Sequence, residues 1–118
     1  MVDAQPRPIE WLGDSLERVR DFPVEVRKDV GSAVYDVQMG VTPPAARHFK
    51  GVGSGVYEIV TRFDTNTYRT VYAVKIGSRV YVLHAFQKKA PKGIKTAKHD
   101  VNLTKRPYKE ALEKEKQK

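Results

Sequence analysis

The chain contains no cysteine. That removes a disulfide framework, a thiolate metal site and a thiol nucleophile from consideration. It also lacks long apolar runs, and nothing approaches the roughly 20 residues that span a bilayer. The N-terminus, MVDAQPRPIEW, has no basic-then-apolar signal pattern. The expectation is a cytoplasmic protein that meets no membrane. Histidine is scarce: His48, His84 and His99 lie far apart and fit no ligand spacing such as H-E-x-x-H. No metal or other cofactor is therefore expected. Neither G-x-x-x-x-G-K-S/T nor G-x-S-x-G occurs, so there is no phosphate-cradling P-loop and no nucleophile elbow.

What is present in excess is positive charge. The 118 residues, enough for one domain spanning 1–118, carry a net charge of +8. The charge is uneven: net −3 over residues 1–46, +4 over 47–86 and +7 over 87–118. A basic second half on a mildly acidic first half points to a polyanion-binding side. For Lys109 to Lys118 alone, a solvated Lys/Glu tail is an equal reading. Residues 1–6 and about 110–118 are expected to be poorly ordered.

The stretch from Val56 to Lys89 reads VYEIVTRF, TYRTVYAVKI and RVYVLHAFQKK, with DTN and GS between. Val, Ile, Tyr, Phe and Thr suit a pleated, half-buried surface, so three antiparallel strands are expected. Gly77-Ser78 fits a two-residue type II′ hairpin. That turn places Arg69 opposite Phe86, Val71 opposite His84 and Thr67 opposite Lys88. A four-residue loop from Asp64 to Thr67 would set Phe63 against Tyr68. One face then collects Tyr57, Ile59, Phe63, Tyr68, Tyr72, Val74, Tyr81, Leu83 and Ala85. The other collects Glu58, Arg62, Arg69, Lys75, His84, Phe86 and Lys88, a basic surface with one aromatic ring. A slip of one residue would mix the two sets, which argues for this register.

Arg7 to Trp11 reads as a short edge strand. Asp14 with Glu17 resembles a capping box, opening a helix that must end before Pro23. From Val24 to Met39 the apolar positions are Val26, Val30, Ala33, Val34 and Val37, one helix face, and Gly40 closes it. The two helices need the Tyr/Val/Leu face of the sheet as partner. Thr42-Pro43-Pro44 begins a loop, and the glycines from Gly51 to Gly55 form a turn that holds Lys50 beside the sheet. Asp100 to Lys116 reads as helical, with a kink or break near Arg106 because Pro107 interrupts it.

The chemistry that fits is metal-free phosphodiester cleavage, since RNA brings its own 2′-OH nucleophile. Arg69 can hold phosphate oxygens bidentately, and Lys88 can neutralise them as a point charge. His84 can move protons near neutral pH, and Phe86 can stack on an unpaired base. Lys50, Arg62, Lys75, Lys92 and Lys95 supply a basic surround for the RNA backbone. Plainer roles stand beside these: a salt bridge to Glu58 for Arg69, a structural hydrogen bond for His84, and gatekeeping at a strand end for Lys88 and Lys89.

GVYEI at 55–59, YRTVY at 68–72 and YVLHAFQKK at 81–89, in that order, resemble the phage-derived HigB-like branch of the RelE/ParE toxin superfamily. The resemblance runs from about Ile9 to Arg106. It implies an α+β fold, with two N-terminal helices on a small, mainly antiparallel sheet and a C-terminal helical segment. It implies a toxin of a type II toxin-antitoxin system, a ribosome-dependent endoribonuclease that cuts mRNA in the A site and arrests translation. Its partners would be a cognate helix-turn-helix antitoxin, the ribosome and mRNA. The resemblance places Arg69 on the transition-state phosphate, Lys88 and Lys89 on the scissile or a neighbouring phosphate, and His84 as acid or base. The superfamily also holds ParE-like gyrase inhibitors, and a basic RNA-binding module without catalysis is a further alternative. Fold alone does not separate these activities.

Overall fold

Every third or fourth residue of VEVRKDVGSAVYDVQ is apolar, and that spacing makes the segment a helix with one buried stripe. The structure is a computed structural model and describes residues 5–74, 77–88 and 93–117, with backbone alone for 93–97. Helix α2 spans Val24–Gln38 and buries Val26, Val30, Ala33, Val34 and Val37, the predicted face. Gly40 follows at φ 84°, a left-handed position that glycine takes without steric cost. Helix α1 is short, Ser15–Arg20. Asp14 precedes it but makes no capping hydrogen bond. Its carboxylate instead accepts from Arg18 Nε at 2.8 Å, so the expected capping box is absent.

Five strands form one sheet: β1 (Ile9–Trp11), β2 (Ala46–His48), β3 (Val56–Phe63), β4 (Asn66–Ala73) and β5 (Val80–Lys88). Their spatial order is β1-β5-β4-β3-β2. Only β1 runs parallel to its neighbour, β5. Strand β2 forms where the sequence predicts only loop. It is three residues long after Pro43-Pro44, too short for its own pattern, and exists because β3 offers it an edge.

Two details of register differ from expectation. The β3–β4 turn is Asp64-Thr65 alone, both at positive φ (51° and 65°), and Phe63 pairs with Asn66. A β-branched Thr rarely adopts positive φ, so Thr65 is an unusual residue for this two-residue turn. The correction moves the pairing by two residues, so the faces keep their composition. In β4–β5, Thr67, Arg69 and Val71 oppose Lys88, Phe86 and His84 as predicted. A bulge then intervenes: Tyr72 pairs with Val82 and Ala73 with Tyr81, leaving Leu83 as the additional residue. An extra residue reverses the alternation beyond it. Tyr81 and Leu83 therefore leave the face of Tyr72 and join the opposite one.

The sheet is buried on both sides. On one side α1 and α2 cover Ile59, Tyr68, Tyr72, Val80 and Ala85. On the other, Val56, Val71, Ala73, Tyr81, Leu83 and Phe86 meet Ala111 of a third helix. That helix, α3, runs Gly93–Lys116 without a break, and Pro107 lies inside it. The proline leaves the Leu103 carbonyl without its helical donor, and Leu103 is exposed, where water can serve instead. The residues from 110 on are helical through Lys116 and anchored, with Ala111 fully buried and Lys114 Nζ 2.8 Å from Glu10 Oε2. The glycine turn after β2 lies beneath α3, and a side chain at Gly53 would overlap the Tyr108 ring. Among the described residues no helix is long and apolar enough to cross a membrane.

Candidate active site

Cross-strand partners on one face form a grid. Its innermost row runs Arg47, Glu58, Val71, His84 from β2 to β5. The next row runs Val60, Arg69, Phe86 and the outer one Arg62, Thr67, Lys88. Opposed residues sit about 5 Å apart and alternate rows about 7 Å apart, close enough for long side chains to meet. This is the face predicted to carry Arg62, Arg69, His84, Phe86 and Lys88. It is not the open basic surface expected, because α3 roofs its inner row.

Glu58 is the centre of the grid. It is 5% exposed. Its Oε1 accepts from Arg69 Nη1 at 2.8 Å and its Oε2 from Arg47 Nε at 3.0 Å. A carboxylate removed from water needs such partners, because an unpaired buried charge is costly. The Arg69 side chain is 16% exposed and Arg47 57%. The plainer role foreseen for Arg69, an ion pair with Glu58, is thus present in the structure. Arg47 was not singled out beforehand. Only the pairing of β2 with β3 brings it to Glu58, across eleven residues of chain.

His84 is 4% exposed and lies beneath α3. Its Nε2 is 3.4 Å from Asp100 Oδ1, and its ring stacks on Phe86 with centroids 5.3 Å apart. Burial pushes the imidazole below its ordinary pKa of 6.5, against an opposing pull from Asp100. Asp14, just before α1, and Arg18, within it, act on it more weakly and in opposite senses. A neutral His84 that donates Nε2–H to Asp100 keeps Nδ1 as an acceptor. Asp100 was another residue missed, for it lies in a segment read only as helix. Thr104 Oγ1 donates to the Asp100 carbonyl one turn on, at 2.8 Å.

Phe86 is 8% exposed, so little of its ring is free for a base to stack on. Lys88 is half-buried at the end of β5, and Arg62 is exposed at the same edge. Lys50 is exposed in the turn after β2. Lys75, Lys89 and Lys92 lie outside the described residues, as does the side chain of Lys95. Arg69, Arg62 and Lys88 therefore share the face of His84, Arg69 one row out and Arg62 and Lys88 two, with Arg47 added in the row of His84. Among the described residues no three His, Asp or Glu side chains converge as metal ligands do.

The model of the phage-derived Gp49-like protein family (DUF891) matches residues 17–109. No curated protein matches the sequence. Among solved structures, an Escherichia coli toxin RelE mutant in the free state superposes with a TM-score of 0.58 at 20% identity. The match covers 88% of this chain and 98% of that one. The likeness identifies the fold as RelE-like, an α+β arrangement of N-terminal helices, a five-stranded mixed sheet and a C-terminal helix.

Proposed function

From the premise that this chain belongs to the phage-derived Gp49-like family and carries a RelE-like fold, we propose that it is the toxin of a type II toxin-antitoxin system. Its activity in this reading is ribosome-dependent cleavage of mRNA in the A site. The observation that carries it is Arg69, a guanidinium in mid-strand with Arg62 and Lys88 in the row beyond it. Glu58 takes only one of the Arg69 terminal nitrogens, and the Arg69 Nε has no partner among the described residues, so the guanidinium keeps donors for a phosphate.

The chemistry needs three things. A base takes the proton of the 2′-OH, whose oxygen attacks the adjacent phosphorus. Cations steady the charge of the pentacovalent phosphorane. An acid protonates the departing 5′-oxygen, leaving a 2′,3′-cyclic phosphate. Arg69 suits the second task, because a planar guanidinium can bind two oxygens at once. Lys88, with Lys89 beyond it, suits a neighbouring phosphate. His84 is the candidate for proton transfer, since its neutral form dominates at neutral pH. Its burial in the free protein does not remove it from that role, because catalytic contacts often tighten only around substrate. Lys50, Arg62, Lys75, Lys92 and Lys95 would follow the RNA backbone, and Phe86 would flank the reacting nucleotide. In this reading the ribosome would position the message. The partners of this reading are the ribosome, mRNA and a cognate antitoxin, and its compartment is the cytoplasm.

The test is induction in cells followed by primer extension on mRNA. Cleavage within translated codons, lost with Arg69→Ala, supports the reading. Gyrase-dependent DNA breaks with intact mRNA would overturn it in favour of a ParE-like toxin. Brisk cutting of naked RNA would remove the ribosome from it.

A further inference from the structure

We propose that Arg47 and Arg69 form a two-arginine clamp for a single phosphodiester group, with Glu58 as the positioning residue that holds both guanidiniums in place. The inference rests on the reading of this face as an RNA-cleaving surface and names the residues that grip the phosphate.

The geometry distributes the donors in a specific way. Glu58 spends one oxygen on each arginine. Arg69 gives it Nη1, which leaves the side-on fork of Nε and Nη2. The Arg69 Nε is buried and has no protein partner among the described residues. A buried guanidinium N–H without a partner is uncommon in a native fold, and a phosphate oxygen satisfies it once the atoms that cover Nε move aside. Arg47 gives Glu58 its Nε, which leaves the end-on pair of terminal amino groups, and its side chain is 57% exposed. Two forks thus flank one carboxylate, and each retains the planar pair of donors that matches a phosphate.

Glu58 faces its own arginines with both oxygens, so a direct part in the chemistry is not needed to explain it. Its effect is orientation. Two guanidiniums and one carboxylate leave a net charge of +1, enough to attract a phosphodiester monoanion. Without Glu58 the two cations would repel each other and swing apart, and the preorganisation that makes electrostatic stabilisation effective would be lost. The carboxylate is fixed by its burial in β3 between β2 and β4, so it transmits the rigidity of the sheet to two flexible side chains.

The experiment uses the full chain and, as probe, a dinucleotide whose 5′ nucleoside is 2′-deoxy, so that it cannot be cleaved. Arginine Nε–H resonances are followed by ¹H–¹⁵N NMR as the probe is added. The expected result is that the Arg47 and Arg69 signals move together, with one apparent affinity. In Glu58→Gln the face gains one positive charge, so the KM for mRNA on ribosomes falls while kcat per folded molecule falls about 10²-fold, the scale of a lost near-attack geometry. A merely structural role would instead lower activity in proportion to the folded fraction and leave KM alone. Glu58→Asp, one methylene shorter, should recover part of the kcat. Arg47→Lys, at an exposed position, serves if Glu58→Gln does not fold, and should weaken probe binding at least several-fold. An Arg47 signal that does not move, an Arg47→Lys variant with unchanged affinity, or a Glu58→Gln variant with normal kcat each overturns the clamp. Joint movement of both signals in a protein that leaves mRNA intact would keep the clamp and remove the nuclease reading. Cleavage without movement of Arg47 would do the reverse.

Discussion

Arg69→Ala is the natural inactivating substitution, and the structure says that it will do two things at once. It removes a cation from the proposed phosphate site, and it strips one of two partners from a buried carboxylate. Glu58 is 5% exposed and bonds Arg69 at 2.8 Å and Arg47 at 3.0 Å. Removing one member of a buried ion pair typically costs about 3–5 kcal/mol. Arg47 remains in place, so the lower figure applies, about 3 kcal/mol. For a domain whose whole stability is about 5–15 kcal/mol, Arg69→Ala should stay folded with much of its margin gone. In urea, at a slope of about 2 kcal/mol/M, the midpoint should fall by about 1.5 M. The double variant Glu58→Met with Arg69→Met removes both charges and fills the space with apolar atoms. Such replacements are often neutral or stabilising, so the midpoint should return to within about 0.5 M of the original. Activity should not return. Losing one transition-state contact of this kind costs about 10²–10³ in rate, and the double variant lacks it as well. The assay is equilibrium urea unfolding of the three proteins beside their growth arrest on induction. An Arg69→Ala protein as stable as the parent would refute the dependence of Glu58 on Arg69. A double variant that still arrests growth would refute the placing of Arg69 on the phosphate.

Val34→Asp puts a charge into the α2 stripe against the sheet and should cost several kcal/mol, read as a large fall in melting temperature. An unchanged melting temperature would mean that this face is not buried. His84 is held below its ordinary pKa, so the unfolded chain binds more protons under about pH 6.5. Stability should therefore be full above that pH and decline as pH falls through it. His84→Gln, which can still meet Asp100, should flatten the decline between pH 7.5 and 5.5, with Asp100, Asp14 and Arg18 left as the charged neighbours. An equal slope in both proteins would contradict the burial argument. Pro107→Ala restores the missing helical N–H in α3 and should raise stability by about 1–3 kcal/mol, seen in thermal melts. A lower melting temperature would show that the packing of α3 depends on the proline.

Much of the framework was legible because it is local. The α2 stripe follows from a 3.6-residue period, and the buried set in the structure is the set read from spacing. The pairing of Arg69 with Phe86 and of Val71 with His84 follows from counting back along two strands. The excess of Lys and Arg in the second half needs no folding to be seen. Candidate site residues on β3, β4 and β5 could therefore be named, and Arg62, Arg69, His84, Phe86 and Lys88 do share one face.

What the chain order alone does not carry is how the second side of that sheet is covered. Leu83 enters as a bulge because Tyr81 and Leu83 gain burial against α3, a contact between segments far apart in sequence. Asp100 reaches His84 and Arg47 reaches Glu58 only once α3 and β2 have docked. The uninterrupted course of α3 through Pro107 is decided in the same way, by Ala111, Tyr108 and Val101 packing on the sheet side at the expense of local propensity. Periodicity reports the preferences of one segment against water. The roof over His84, the partners of Glu58 and the turn of the β5 ladder arise from one segment meeting another, where burial of apolar surface and pairing of buried charge outweigh the local preference.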